Sequence, residues 1–173
     1  MKIIGSVTED LTIDKRVSIT PESTKKYISG GFSVNLEKNY AKHLGINDDE
    51  YKKSGANIHL SKEKVLKESD IILKVCEPSI NEVDFKKNNS ILISQFDVNS
   101  NKNIITKLSE KDIKTFSLTL LPRITRAQSM DVLSSQANLA GYKAVIDSFA
   151  IFQKAVPMMM TAAGTIPAAR VLV

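Results

Sequence analysis

Over the first 120 residues, short apolar runs of strand length alternate with segments that open on helix-start signals, and few folds accept that order. Residues 2–7 read as a strand. Thr20-Pro21-Glu22 then supplies a cap, a proline at the first helical position and an acid in the first turn, and Gly30-Gly31 closes the helix that follows. Residues 32–36 alternate as a second strand. Asn47 caps a short helix ending at Gly55, and Ser61 caps another that runs to about residue 69. Residues 70–75 and 91–95 are apolar runs of strand length, residues 101–110 are helical, and residues 114–120 return to strand. Strands spaced by helices predict an α/β chain: a mostly parallel, Rossmann-like sheet covered on both faces.

The composition changes near residue 116. The chain has 24 Lys and Arg and 19 Asp and Glu, yet only seven of these lie in residues 116–173. Three of the four arginines, Arg123, Arg126 and Arg170, are among those seven. A lysine-rich chain has arginine where a planar, permanently charged fork matters. Met130, Leu133, Ala137, Ala140, Ala144, Phe149 and Phe152 recur at helical spacing up to Pro157. That predicts a helix of about 24 residues, roughly 36 Å long, enough to bridge two domains. Gly141 and the alanines allow a second element close to it. Beyond Pro167, Val171-Leu172-Val173 reads as a buried strand just beginning, so the chain is expected to be a piece of a longer protein. The expected organisation is an N-terminal Rossmann-like domain over residues 1–125, a loop and bridging helix over 126–156, and the start of a further domain over 157–173.

Several function classes are disfavoured. Net charge is +5, but lysines and acids are interleaved, aromatics are 6% and there is no tryptophan, which argues against nucleic acid. The apolar stretch 155–169 carries two prolines and a glycine and falls short of the roughly 20 residues of a membrane span. The single cysteine, Cys76, excludes an internal disulfide and a cysteine-built zinc site, no metal site is expected, and a cytoplasmic setting is the default.

The chemistry concentrates in residues 121–142, LPRITRAQSMDVLSSQANLAGY. The segment follows a strand and enters the long helix, so it belongs at the carboxyl end of a parallel sheet, where open α/β sheets place ligands. Arg123, Arg126, Gln128, Asp131 and Ser134 bring a guanidinium fork, an amide and a carboxylate together. An Arg–Asp pair can hold itself rigid and still offer donors and acceptors to a carboxamide. Spacing alone equally allows Ser129 or Asp131 as a helix cap beside a surface salt bridge.

The same string closely resembles the nicotinamide-facing loop of the alpha subunit of proton-translocating NAD(P) transhydrogenases, the component that binds NAD(H). The opening KIIGSVTEDLTIDKRVSITPES, the strand and turn SDIILKVCEP and the stretch MMMTAAGTIPAARVLV resemble that family too, so the likeness covers essentially the whole chain. It implies that Arg123, Gln128 and Asp131, with Ser134, hold the nicotinamide of NAD(H), and that Gln128 also faces NADP(H) on a partner subunit. Hydride would then pass directly between two rings, and the protein's work is to orient them. The resemblance further implies a homodimer, an NADP(H)-binding membrane partner, and a cytoplasmic position peripheral to the inner membrane. In the family the strand reached at Val171 leads into a Gly-x-Gly-x-x-Gly turn for the pyrophosphate, and this sequence does not contain one.

The sister family, alanine dehydrogenase, is the alternative. Its substrate-binding arginine and lysine match Arg16 and Lys74, which the transhydrogenases share. Its catalytic histidine belongs in residues 91–99, where this chain offers Gln95 and Asp97 and no histidine. His43 and His59 read as surface or capping residues, Cys76 as a structural thiol, and Met158-Met159-Met160 as packing. Residues 161–164 form a small-residue turn able to approach a cofactor.

Overall fold

The structure, a computed structural model, describes residues 1–99 and 101–172. The chain divides into two compact units, Met1–Pro122 and Arg123–Val173.

Among the described residues of the first unit, six strands alternate with five α-helices. They are β1 (Ile3–Ser6), α1 (Pro21–Ser29), β2 (Ser33–Glu37), α2 (Asp48–Lys53), β3 (Asn57–His59), α3 (Lys62–Glu68), β4 (Ile71–Leu73), α4 (Ile80–Phe85), β5 (Ile91–Ser94), α5 (Lys102–Glu110) and β6 (Lys114–Ser117). Every strand pair is parallel, and the spatial order is β3-β2-β1-β4-β5-β6, that of the doubly wound Rossmann sheet. The expected α/β architecture is therefore present. Thr20 caps α1 by accepting from the Ser23 backbone N–H, with Pro21 in the first turn. Ser61 does the same for α3 through Lys64.

Two apolar clusters hold the sheet. Ile4, Ile19, Val34, Leu36, Tyr40 and Tyr51 form one, on the side of α1 and α2. Val7, Val65, Leu66, Ile72, Val83, Leu92 and Leu108 form the other, among α3, α4 and α5. Side chains alternate along a strand. Lys74, two residues after Ile72, and Ser94, two after Leu92, thus extend the second cluster toward the carboxyl edge. Gly5 lets α3 close on β1, because a Cβ there would lie 2.1 Å from Ser69 Oγ. Ser69 is fixed by donating to the Val65 carbonyl at 2.7 Å. Gly5→Ala is expected to cost about 1–3 kcal/mol through overpacking, read as a lower Tm. An unchanged Tm would mean that Ser69 turns aside freely.

The structure departs from the sequence reading in places. β3 and α4 were not anticipated: β3 is three residues at the sheet edge, and α4 is six residues opened by a Ser79/Glu82 capping box. The strand expected over 114–120 ends at Ser117. There Ser117 Oγ and Thr119 Oγ1 both donate to the Phe96 carbonyl, at 2.7 and 2.8 Å, and draw the chain into a short 3-10 turn.

In the second unit, a 3-10 turn over Thr125–Met130 leads to α6 (Val132–Ile151), shorter than the helix expected from Met130. Asp131 caps it and so sets its first residue. No residue of α6 is buried. An antiparallel hairpin follows, β7 (Met159–Thr161) and β8 (Gly164–Ile166), where packing and a small-residue turn are expected from the sequence. Val171 and Leu172 are in no strand, and Val173, the last residue of the expected strand, lies outside the described residues. A strand exists only against a neighbour that completes its ladder.

Candidate functional site

Strand order reverses between β1 and β4, and there the first unit opens a crevice of about 740 Å³. Glu9, Asp10, Arg16, Lys62, Lys74, Cys76, Glu77, Glu82 and Gln95 are among its lining. Several of these charges are paired. Lys74 Nζ lies 3.1 Å from Glu9 Oε2 and 2.9 Å from Glu82 Oε2, with the three side chains only 3%, 3% and 8% exposed. Lys62 Nζ donates to the other Glu82 oxygen at 3.1 Å. Arg16 is held by Asp14, with Nη2 at 2.6 Å from Oδ2 and Nε at 3.0 Å from Oδ1.

Burial pulls the Lys74 ammonium down, but Glu82 and Glu9 together outweigh burial and hold its pKa above the usual lysine value. Burial pushes the Glu82 carboxyl up, but Lys74, the Ser79 N–H and Lys62 outweigh it and hold the pKa below the usual carboxylate range. The turn after β1 carries Glu9 and Asp10 instead of glycines. Glu9 Oε1 accepts from Val75 N–H at 2.6 Å. Those acids differ from the glycine-rich turn that cradles a pyrophosphate in dinucleotide-binding sheets. Gln95 lines the crevice and no histidine does. His43 Nε2 is 2.7 Å from the Lys15 carbonyl, and His59 ends β3. Cys76 is half-buried, with its Sγ 3.8 Å from Asp14 Oδ2, and burial raises its pKa.

The second unit has a separate pocket of about 280 Å³, lined by Arg123, Ile124, Thr125, Gln128, Asp131 and Ser134. The chain thus brings together four of the five residues singled out from the sequence and adds Ile124 and Thr125 between them. Arg126 is not part of the lining. Asp131 Oδ1 accepts from the Leu133 and Ser134 backbone N–H groups, each at 3.0 Å, and Ser134 Oγ donates to Oδ2 at 2.6 Å. The Ser134 hydroxyl is the largest cause of a lowered Asp131 pKa, followed by the Ser134 N–H, with Leu133 and Arg123 adding less.

Asp131 is therefore the α6 cap, and the Arg–Asp ion pair imagined from the sequence is not formed. Arg123 acts on Asp131 through its field alone. Neither Arg123 nor the Gln128 side chain makes a hydrogen bond among the described residues. A fork of donors and an amide with both donor and acceptor capacity are left for a ligand, beside the uncommitted capacity of Asp131 Oδ2. A carboxamide matches that set, and the volume suits one ring with its amide and not a whole dinucleotide.

A parallel six-stranded sheet in Rossmann order defines a doubly wound α/β protein. The Alanine dehydrogenase/PNT, N-terminal domain family matches residues 5–140, and the chain belongs to that family. Within it, the chain is 42% identical over 165 residues to the first portion of the split NAD(P) transhydrogenase subunit alpha of Rhodospirillum rubrum, covering 92% of this chain and 43% of that protein. It is 39% identical over 177 residues to the subunit portion of the same name from Rickettsia prowazekii, covering 100% and 46%. The crystal structure of transhydrogenase from Sinorhizobium meliloti superposes with a TM-score of 0.88 at 44% identity, over 97% of this chain and 50% of that one. The chain thus spans about half the length of the relatives it matches. Among the described residues, no helix is long and apolar enough to cross a membrane.

Proposed function

We propose that this chain forms the nicotinamide-holding part of the NAD(H)-binding component of a proton-translocating NAD(P) transhydrogenase. The observation that carries the reading is the convergence of Arg123, Gln128, Asp131 and Ser134 on one pocket, with the Arg123 and Gln128 side chains making no hydrogen bond among the described residues. Bound NAD(H) supplies the hydride chemistry. The residues would orient it: Arg123 would donate to the carboxamide oxygen and Asp131 Oδ2 would accept from its NH₂, with the Ser134 hydroxyl keeping that carboxylate in place. Gln128 reaches toward NADP(H) on the partner subunit. Asp131 is held as the anion by its hydrogen bonds, which suits an acceptor and not a proton donor.

No Gly-x-Gly-x-x-Gly turn for a pyrophosphate occurs in this sequence. Calorimetry on the chain alone should therefore give an NADH Kd above about 1 mM, the affinity of a lone ring and amide. Sub-millimolar binding would show that the pocket suffices without a pyrophosphate turn.

Partners enter the same proposal. α6 leaves Leu139, Tyr142, Val145, Phe149 and Ile151 exposed, while its lysine and aspartate, Lys143 and Asp147, pair with each other. Such a helix is covered in a working assembly. The proposed cover includes a second copy in a homodimer, with the NADP(H)-binding membrane subunit completing the complex on the cytoplasmic side of the inner membrane. Alanine dehydrogenase chemistry has less support. Lys74 is already locked between two carboxylates, and residues 91–99 offer no histidine. The assay is alanine formation from pyruvate, ammonium and NADH by the complete subunit. Background rates are expected, and robust turnover would reverse the reading.

A further inference from the structure

Lys86 caps the C-terminal end of α4 and is 3% exposed, yet its Nζ has no hydrogen-bond partner among the described residues. A buried ammonium without a partner is rarely tolerated, because nothing replaces its lost hydration. The charged groups around it are accounted for. Asp84, on its own helix, is taken by Lys107 of α5 at 2.9 Å. The Lys111 ammonium sits on the backbone carbonyls of Val83, Asp84 and Lys86. Lys67 of α3 lies over the Phe85 ring at 5.7 Å.

The groups that act on Lys86 itself are Lys74, from the end of β4, and Glu82, one turn back on α4. Those two belong to the network that walls the crevice. Glu9, Glu82, Lys74 and Lys62 there make two negative and two positive charges, a balanced set. A charged Lys86 is a fifth, unbalanced member. Glu82 is the only carboxylate of the set on the same helix, and it already serves three groups: Lys74, Lys62 and the Ser79 backbone N–H.

We propose that Lys86 is a proton-operated switch on this network: on taking up a proton, its ammonium draws the Glu82 carboxylate away from Lys74 and loosens the Ser79–Glu82 cap that opens α4. Burial lowers the Lys86 pKa to about 7, Lys74 adds to the lowering, and Glu82 opposes it, so the switch works in the neutral range. Above that range Lys86 is uncharged and the four-membered network is closed. Below it, Glu82 is shared with a third ammonium, Lys74 is partly released into the crevice, and the Ser79 N–H loses its acceptor.

The test is an NMR titration of the intact chain from pH 5.5 to 9, following lysine ¹³Cε and ¹⁵Nζ signals and the Ser79 amide. Lys86 is expected to titrate near neutrality, with the Lys74 and Ser79 signals moving at the same midpoint. In Lys86→Met, which keeps the stem and removes the charge, both responses should vanish. In Glu82→Gln the Lys86 midpoint should fall, because its one favourable neighbour is gone. A Lys86 that stays charged to pH 9 would overturn the proposal. So would Lys74 and Ser79 signals that stay flat through the Lys86 transition, an outcome the unmodified protein alone can deliver.

Discussion

Replacing Lys74 by methionine should cost the fold about 3–5 kcal/mol, because it leaves the buried Glu9 carboxylate with no cation and Glu82 with Lys62 alone. Glu9 and Glu82 are 3% and 8% exposed, and their carboxylates lie 3.1 and 2.9 Å from the Lys74 ammonium. The loss should appear as a lower urea midpoint at unchanged slope. Adding Glu9→Gln and Glu82→Gln to Lys74→Met should recover much of it, since the penalty belongs to unpaired charge and not to lost packing.

The pH dependence follows from the same groups. The folded pKa of Glu82 is depressed, so its contribution is present above the ordinary 4.5 and is lost as pH falls through the folded value. That of Lys74 is raised, so its contribution is present below 10.5 and is lost as pH rises through the folded value. Lys86 runs the other way. Its folded pKa of about 7 lies below the unfolded 10.5, so the cost of burying it is full below 7 and fades between 7 and 10.5. Stability should therefore climb from neutral pH into the alkaline range in the unmodified protein. Lys86→Met should flatten that climb and gain stability at pH 6. Unaltered curves would mean that the Lys86 ammonium is solvated.

The second large effect is expected at the α6 pocket, in the complete subunit assembled with its NADP(H) partner. Arg123→Ala, Gln128→Ala and Asp131→Ala should each slow single-turnover hydride transfer by about 10-fold to 100-fold, since a ring misplaced by about 1 Å loses that much. NADH affinity should fall less, because most of it comes from groups this pocket does not hold. Arg123→Lys should not restore the rate, because one ammonium cannot present two parallel donors. Asp131→Asn separates capping from recognition. The amide oxygen can still accept from Leu133 and Ser134, so α6 should form while the carboxylate acceptor for the ring's amide is gone. Equal rates in all these variants would reduce Asp131 to the helix cap that its three hydrogen bonds already describe.

What the sequence made legible was local. Thr20-Pro21 and Gly30 bracket α1, and Ser61 opens α3, because caps and stops act within a few residues. The parallel α/β class followed from alternation alone. β3 was missed because three residues at a sheet edge carry no periodicity, and α4 because its six residues are too few for an apolar stripe. The pair Ser79 and Glu82 was the available signal there.

The α6 pocket was readable for the same reason as α1: all its lining lies within residues 123–134. The crevice network was not, because Glu9 lies 65 positions from Lys74 and only the β1–β4 pairing brings them together. Arg123 and Asp131 show the converse. The residue types allowed an ion pair and the spacing a helix cap, and the carboxylate is taken up by the first turn of the helix it caps.

Direct hydride passage between two nicotinamides, with this chain orienting one of them, is tested most directly by isotope transfer in the complete subunit with its partner. NADH carrying deuterium at the transferred position of C4 is mixed with NADP⁺, and the NADPH formed is examined by mass spectrometry. Direct passage predicts that the deuterium is recovered in NADPH without dilution by solvent protons, and that Arg123→Ala slows its arrival without scrambling it. Deuterium lost to water, or no transfer to NADP⁺ at all, would contradict it.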